Sequence, residues 1–256
     1  LFDAATGEPK GRWDVLPADH EGRKLGGKKR RGVKYTDHKP LAILDLAVRG
    51  AHRVLTDEKA NAVKWLADDG SVAARAEVPS PRGVAVAPDG TVYVVSQDKV
   101  LSVTKQGATE TVLEGLHNPW RLAFDAGRDD LLVLEGPDDW RIKRFDLTGG
   151  LKRAYGRKGG RQDGPYNPHD FRGVKDITAD GRGGFFVAEP QIRPRRIVHL
   201  DAEGQVLRQW YGGLTFFSPR SIDPRDPTRV WYRSGGGWVL AKVDYENRTW
   251  SVLETH

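Results

Sequence analysis

Cysteine is absent from the 256 residues. This excludes a disulfide framework, a thiolate metal centre and a cysteine nucleophile. It leaves the compartment open, because an oxidising environment requires no cysteines. Methionine is absent as well, so the chain is expected to begin inside a longer gene product, with any export signal upstream of Leu1. No apolar run approaches the roughly 20 residues of a membrane-spanning helix. There is no Gly-x-Ser-x-Gly nucleophile elbow. The glycines between 156 and 164 lack the strand-to-helix setting of a phosphate-binding loop.

The chain does hold eight Trp, eight Phe and seven Tyr, enough bulk for a core in a sequence that is 30% charged. Its 30 Gly and 15 Pro are spread along the length, which indicates many turns. The net charge of +6 permits a polyanionic partner. Part of that excess sits in one run, Arg23-Lys24-Leu25-Gly26-Gly27-Lys28-Lys29-Arg30-Arg31. The Gly-Gly pair argues against a helix there. The run is either a phosphate-contacting loop or a solvated insertion, the latter being favoured.

Self-similarity organises the rest. Pro81-Arg82-Gly83-Val84-Ala85-Val86, Pro119-Trp120-Arg121-Leu122-Ala123-Phe124, Phe171-Arg172-Gly173-Val174-Lys175-Asp176-Ile177 and Pro219-Arg220-Ser221-Ile222-Asp223 share a pattern, with a fainter copy at Lys39-Pro40-Leu41-Ala42-Ile43-Leu44. Their leading residues 40, 81, 119, 171 and 219 lie 41, 38, 52 and 48 residues apart, a period typical of four-stranded blades. In the clearest copies a turn follows, as at Asp89-Gly90 or Asp180-Gly181, where glycine tolerates positive φ. A second strand such as Thr91–Val95 comes next, then a third such as Ile142–Asp146 and an alternating fourth such as Gln205–Trp210. A β-sandwich is the rival, but a sandwich does not require this repeated order.

The stretch Pro81 to Val94 nearly completes the pattern Pro-x-Gly-Val-Ala-Val-x-x-Asp-Gly-x-Val-Tyr-Val, and with it the sequence resembles the NHL-repeat β-propellers. The resemblance covers about residues 40–254 and weakens in the first and last repeats. It implies an all-β propeller of four-stranded antiparallel blades. Leu1-Phe2-Asp3-Ala4-Ala5-Thr6-Gly7 repeats the strand ending Arg144-Phe145-Asp146-Leu147-Thr148-Gly149. Residues 1–13 therefore read as the outer strands of a partial blade and 14–38 as a basic insertion. Residues 39–256 read as five full blades, at about 39–78, 79–114, 115–155, 168–213 and 216–254. Five and a half blades point to six, a number common in the family. Additional polypeptide, from upstream sequence or another chain, is then expected to complete the ring.

In such propellers the inter-blade connections and the loops between second and third strands share one face, usually the binding face. The candidate ligand-binding residues are Arg82, Trp120, Arg121, Tyr166, His169, Asp170, Arg172 and Arg220. The other loops add Gln97, Asp98, Asp138, Asp139, Glu189, Arg193, Arg195 and Arg233. Guanidinium groups there suit a carboxylate, phosphate or sulfate. The alternative is that these arginines pair with neighbouring acids and lock the blades. Segment 156–170 lengthens one connection and is either a functional or a passive loop. Some NHL-like propellers, such as the peptide-amidating lyases, hold a metal with histidines. Here only His117 and His169 sit comparably and no third joins them, so no metal and no cofactor is expected.

The sequence therefore points to a non-catalytic ligand- or protein-binding scaffold module of a larger protein. A lyase-like or lactone-hydrolase-like enzyme with a site at the channel mouth is the first alternative. An RNA-binding NHL domain is the second and is not favoured. The expected partners are an anionic ligand or a protein. The expected setting is an exported, periplasmic or extracellular, bacterial protein.

Overall fold

A computed structural model describes residues 43–190, 194–211, 219–234, 237–247 and 249–256. The expected partial blade at 1–13, the insertion at 14–38 and Arg193 lie outside the described residues, as do the side chains of Arg220 and Arg233. The described residues fall into two compact units, divided between Thr111 and Val112. Among the described residues there is no helix.

The first sheet is β1 (Ile43–Arg49), β2 (His52–Asp57), β3 (Ala62–Leu66) and β4 (Val72–Glu77), paired in chain order. The second, β5 (Pro81–Val86), β6 (Val92–Ser96), β7 (Lys99–Val103) and β8 (Thr109–Leu113), repeats it. Strict alternation decides which face each strand buries. Val54 pairs with Trp65 and Thr56 with Val63. Val54, Val63 and Trp65 then join Val84, Val86, Val92, Val94 and Val103 in one apolar layer. The turns follow one rule. At Ala87-Pro88-Asp89-Gly90-Thr91 the Ala87 N–H donates to Thr91 O at 2.9 Å and the Gly90 N–H to Ala87 O at 3.0 Å. Asp89 Oδ1 accepts from the Thr91 N–H. Gly90 has φ +89°, and a Cβ there would meet the His52 ring at 2.8 Å, so the position needs glycine. The same bond pair recurs around Gly70, Gly107, Gly149 and Gly204.

In the second unit, β9 (Pro119–Asp125), β10 (Asp130–Glu135), β11 (Ile142–Asp146) and β12 (Leu151–Tyr155) form one sheet, ordered β12-β11-β10-β9. Two residues, β13 (Gly164–Pro165), follow in the long connection. The next sheet is β14 (Asp176–Ala179), β15 (Phe185–Glu189), β16 (Arg196–Leu200) and β17 (Val206–Tyr211). The last is β18 (Pro219–Asp223), β19 (Asp226–Ser234), β20 (Gly237–Asp244) and β21 (Thr249–Thr255). It gains β13 as a fifth strand, in the order β13-β21-β20-β19-β18. Leu132, Leu134 and Ile142 pack with Ile177, Phe185, Val187, Val198 and Leu200 between the β9–β12 and β14–β17 sheets.

One strand starts later than the repeat predicts. The fourth full repeat begins its inner strand at Phe171 by pattern, but β14 begins at Asp176. The Arg172 N–H is taken by the Glu189 carboxylate at 2.7 Å, so that stretch is held by a side chain instead of a ladder.

Candidate functional site

Loop ends in the second unit carry most of the candidate residues, and their charges converge on one another. Glu189 closes β15 and is fully buried. Its Oε1 accepts from the Arg172 N–H at 2.7 Å and from Arg161 at 2.6 Å, and its Oε2 accepts from Arg196 Nε. The remaining donors of Arg196 are spent on the Tyr166 hydroxyl, on Pro168 O and Gln209 Oε1 at 2.9 Å each, and on Asp170 O at 2.7 Å. The Tyr166 hydroxyl in turn donates to Gln209 Oε1 at 2.7 Å. Burial pushes this phenol above its ordinary value, so it acts as a neutral hydrogen-bonding group. The connection 156–170 is thereby pegged onto β14–β17. Just beyond the peg, the Tyr166 N–H donates to Leu253 O at 2.8 Å beside the β13–β21 pair.

The β9–β12 sheet repeats the device. Buried Glu135 closes β10, accepts from the His117 N–H at 3.0 Å and pairs with Lys143 at 2.5 Å. Arg141 grips Asp139 through Nε at 2.5 Å and through its terminal nitrogen at 2.7 Å. That hydrogen bond holds the Asp139 carboxyl below its usual value of 3.8. A depressed carboxyl contributes stability that is present above the unfolded value and is lost as pH falls through the folded one. Asp139→Asn should therefore be less stable than wild type at neutral pH, and the two curves should converge below about pH 4. Urea midpoints measured against pH check this, and parallel curves would contradict it.

The other candidates are placed as follows. The Arg121 guanidinium lies 5.0 Å over the Trp120 ring, with Nε 3.9 Å from Asp176. Arg172 reaches Arg161 O at 3.4 Å. Asp170 lends its carbonyl to the peg, and Arg157 stands 3.9 Å from its carboxylate. His169 faces Gly204 O with Nδ1 at 3.1 Å, while His117 is exposed. In the first unit, Arg82 is half-buried and its carbonyl accepts from Thr56 Oγ1 at 2.6 Å. Among the described residues, no three His, Asp or Glu side chains gather to hold a metal.

Sequence reasoning missed Glu135, and it named Glu189 without its role. The available signal was that β10 and β15 both end in an acid at the same repeat position. It also missed a groove of about 620 Å³ on β14–β17, lined by Asp176, Thr178, Phe186, Ala188, Ile197 and Trp210. Period-two alternation puts these side chains on the face opposite the β9–β12 packing. Ile197 is 47% and Trp210 40% exposed, large for apolar groups on a sheet face. His199 stacks on Phe186 with ring centroids 4.1 Å apart and meets Asp180 at 2.9 Å.

No protein-family model and no curated protein matches the sequence. Among solved structures, the chain is similar to the hydrazine synthase of Kuenenia stuttgartiensis, with TM-score 0.51, 13% identity, and coverage of 88% of this chain and 65% of that one. It is equally similar to a streptogramin B lyase, with TM-score 0.51, 16% identity, and coverage of 86% and 72%. A virginiamycin B lyase from Staphylococcus aureus gives TM-score 0.49 at 14% identity, covering 85% and 72%. The chain thus spans less than two thirds of the hydrazine synthase chain. At such identities only the fold is shared. The chain is a β-propeller built of four-stranded antiparallel blades. No helix among its described residues is long and apolar enough to cross a membrane.

Proposed function

We propose that this chain is a non-catalytic protein-binding propeller module of the NHL-like type, working as a scaffold within a larger assembly. The open apolar groove on β14–β17 carries this reading. Contiguous exposed aromatic and aliphatic groups on a soluble domain mark contact surfaces. Leu46 and Val48, 50% and 60% exposed on β1, point the same way, toward additional polypeptide packed on the blades. The NHL character is supported by Pro81 to Val94, which folds as inner strand, glycine turn and second strand. Enzyme chemistry at the loop ends would call for free titratable groups. Glu135, Asp139 and Glu189 are instead committed to guanidinium, ammonium and backbone N–H partners. Hydroxyl-radical footprinting tests the reading. Trp210 and Phe186 should be protected in native extract and labelled in the dilute purified protein. Equal labelling in the two samples would refute it.

A further inference from the structure

We infer that the occupant of the groove is a second copy of this chain, seated face to face on the same sheet. The inference rests on the binding-face reading above and adds the partner. The face is polar in a self-complementary way. Its inner edge, β14, is acidic, with exposed Asp176 and, in the following turn, half-buried Asp180, which holds His199. Its outer edge, β17, carries exposed Arg208, whose guanidinium lies 4.9 Å over the Trp210 ring. Between the edges lie Phe186, His199 and Ile197.

A two-fold axis running along the strands, between two such faces, sets β14 of one copy over β17 of the other. Each acidic edge then meets the partner's Arg208, and the contact is made twice. An axis across the strands would stack β14 on β14 and set acid against acid. Sheets pack about 10 Å apart, a gap that an arginine and an aspartate can bridge together. The apolar centre supplies the drive and the edges fix the orientation. Such a patch is isologous, as closed dimers require. A face of four short strands lies at the low end of interface sizes, so the dimer is reversible.

Sedimentation velocity across a wide concentration range is the test. Wild type should rise from one chain mass to two. Ile197→Glu should remain at one, with an unchanged circular dichroism spectrum. Arg208→Asp should weaken association at least tenfold, and Asp176→Arg added to it should restore much of the loss. Failure of that restoration would overturn the proposed orientation. A wild type that stays at one chain mass throughout overturns the dimer. If that monomer binds the apolar dye ANS and Ile197→Glu abolishes the binding, the face still serves another partner. If the dye does not bind either, the binding-face reading falls too.

Discussion

Glu189→Gln should lower the free energy of unfolding by about 3–5 kcal/mol, the range seen when one member of a buried ionic cluster is removed. The side-chain volume is kept, so the loss is electrostatic. Arg161 and Arg196 would then face each other in a buried site with no carboxylate between them, and Arg196 is already bonded to four other acceptors. The Arg172 N–H would keep an acceptor in the amide oxygen, which separates the charge effect from the loop effect. Urea denaturation followed by tryptophan fluorescence gives the number. Adding Arg161→Met to Glu189→Gln should recover part of it, because one of the stranded charges is gone. A loss under about 1 kcal/mol would show that the cluster tolerates an unbalanced charge and that the peg is held by its backbone acceptors alone.

The strands were legible because they rest on local, repeated rules. β5, β11 and β18 fall on the residues that the repeat pattern assigns, since turn residues and β-branched runs act within a few residues. The peg was not legible in this way. Arg196 lies 30 residues from Tyr166 and 26 from Asp170, and nothing periodic links them. The two-residue strand at Gly164–Pro165 was equally hidden. Proline counts against a strand except at an edge, and β13 is an edge strand whose existence depends on β21, about 90 residues later in the sequence. The groove escaped for another reason. Alternation along β15 and β16 announces two apolar faces, which a propeller blade should have, and which of them is covered depends on packing between distant segments.

Segment 156–170 thus lies between the expected functional loop and the expected passive one. Its glycines let the backbone pass close to Phe171 and Trp140, where a Cβ at Gly156 or Gly160 would come within 2.8 Å of those rings. Of its polar residues Arg161 and Asp170 are buried, whereas Arg157, Lys158, Gln162, Asp163 and Asn167 face solvent. The segment joins the β14–β17 sheet to the last sheet through Tyr166, around which Tyr211 and Trp250 pack with centroids 4.6 Å apart. Its composition looks like that of a solvated loop because most of its polar residues are solvated, and only a few reach partners elsewhere in the chain, as Arg161 does at Glu189.

The second large effect is expected at Arg144. This guanidinium is buried at the far end of the β9–β12 sheet, where Asp125 and Asp130 stand directly opposite each other in register. It donates to Asp125 at 2.7 Å, approaches Asp130 at 3.5 Å and reaches Gly183 O at 2.6 Å, in the turn between β14 and β15. Its Nε donates to the Tyr155 hydroxyl, which donates onward to Ala202 O at 2.7 Å. One side chain therefore bridges two facing carboxylates and ties two blades together. Arg144→Met keeps the length and removes the charge. Among the described residues it leaves Asp125 with no ion-pair partner, while Asp130 retains only the half-exposed Lys152 at 2.5 Å. The expected cost is about 3–5 kcal/mol, with faster amide exchange at the β14–β15 turn. Asp125→Asn combined with Arg144→Met should cost less than the sum of the single changes, because the charge left stranded by one substitution is removed by the other. Additive costs would mean that Asp125 and Arg144 act independently, and the picture of one buried pair holding two blades would have to be abandoned.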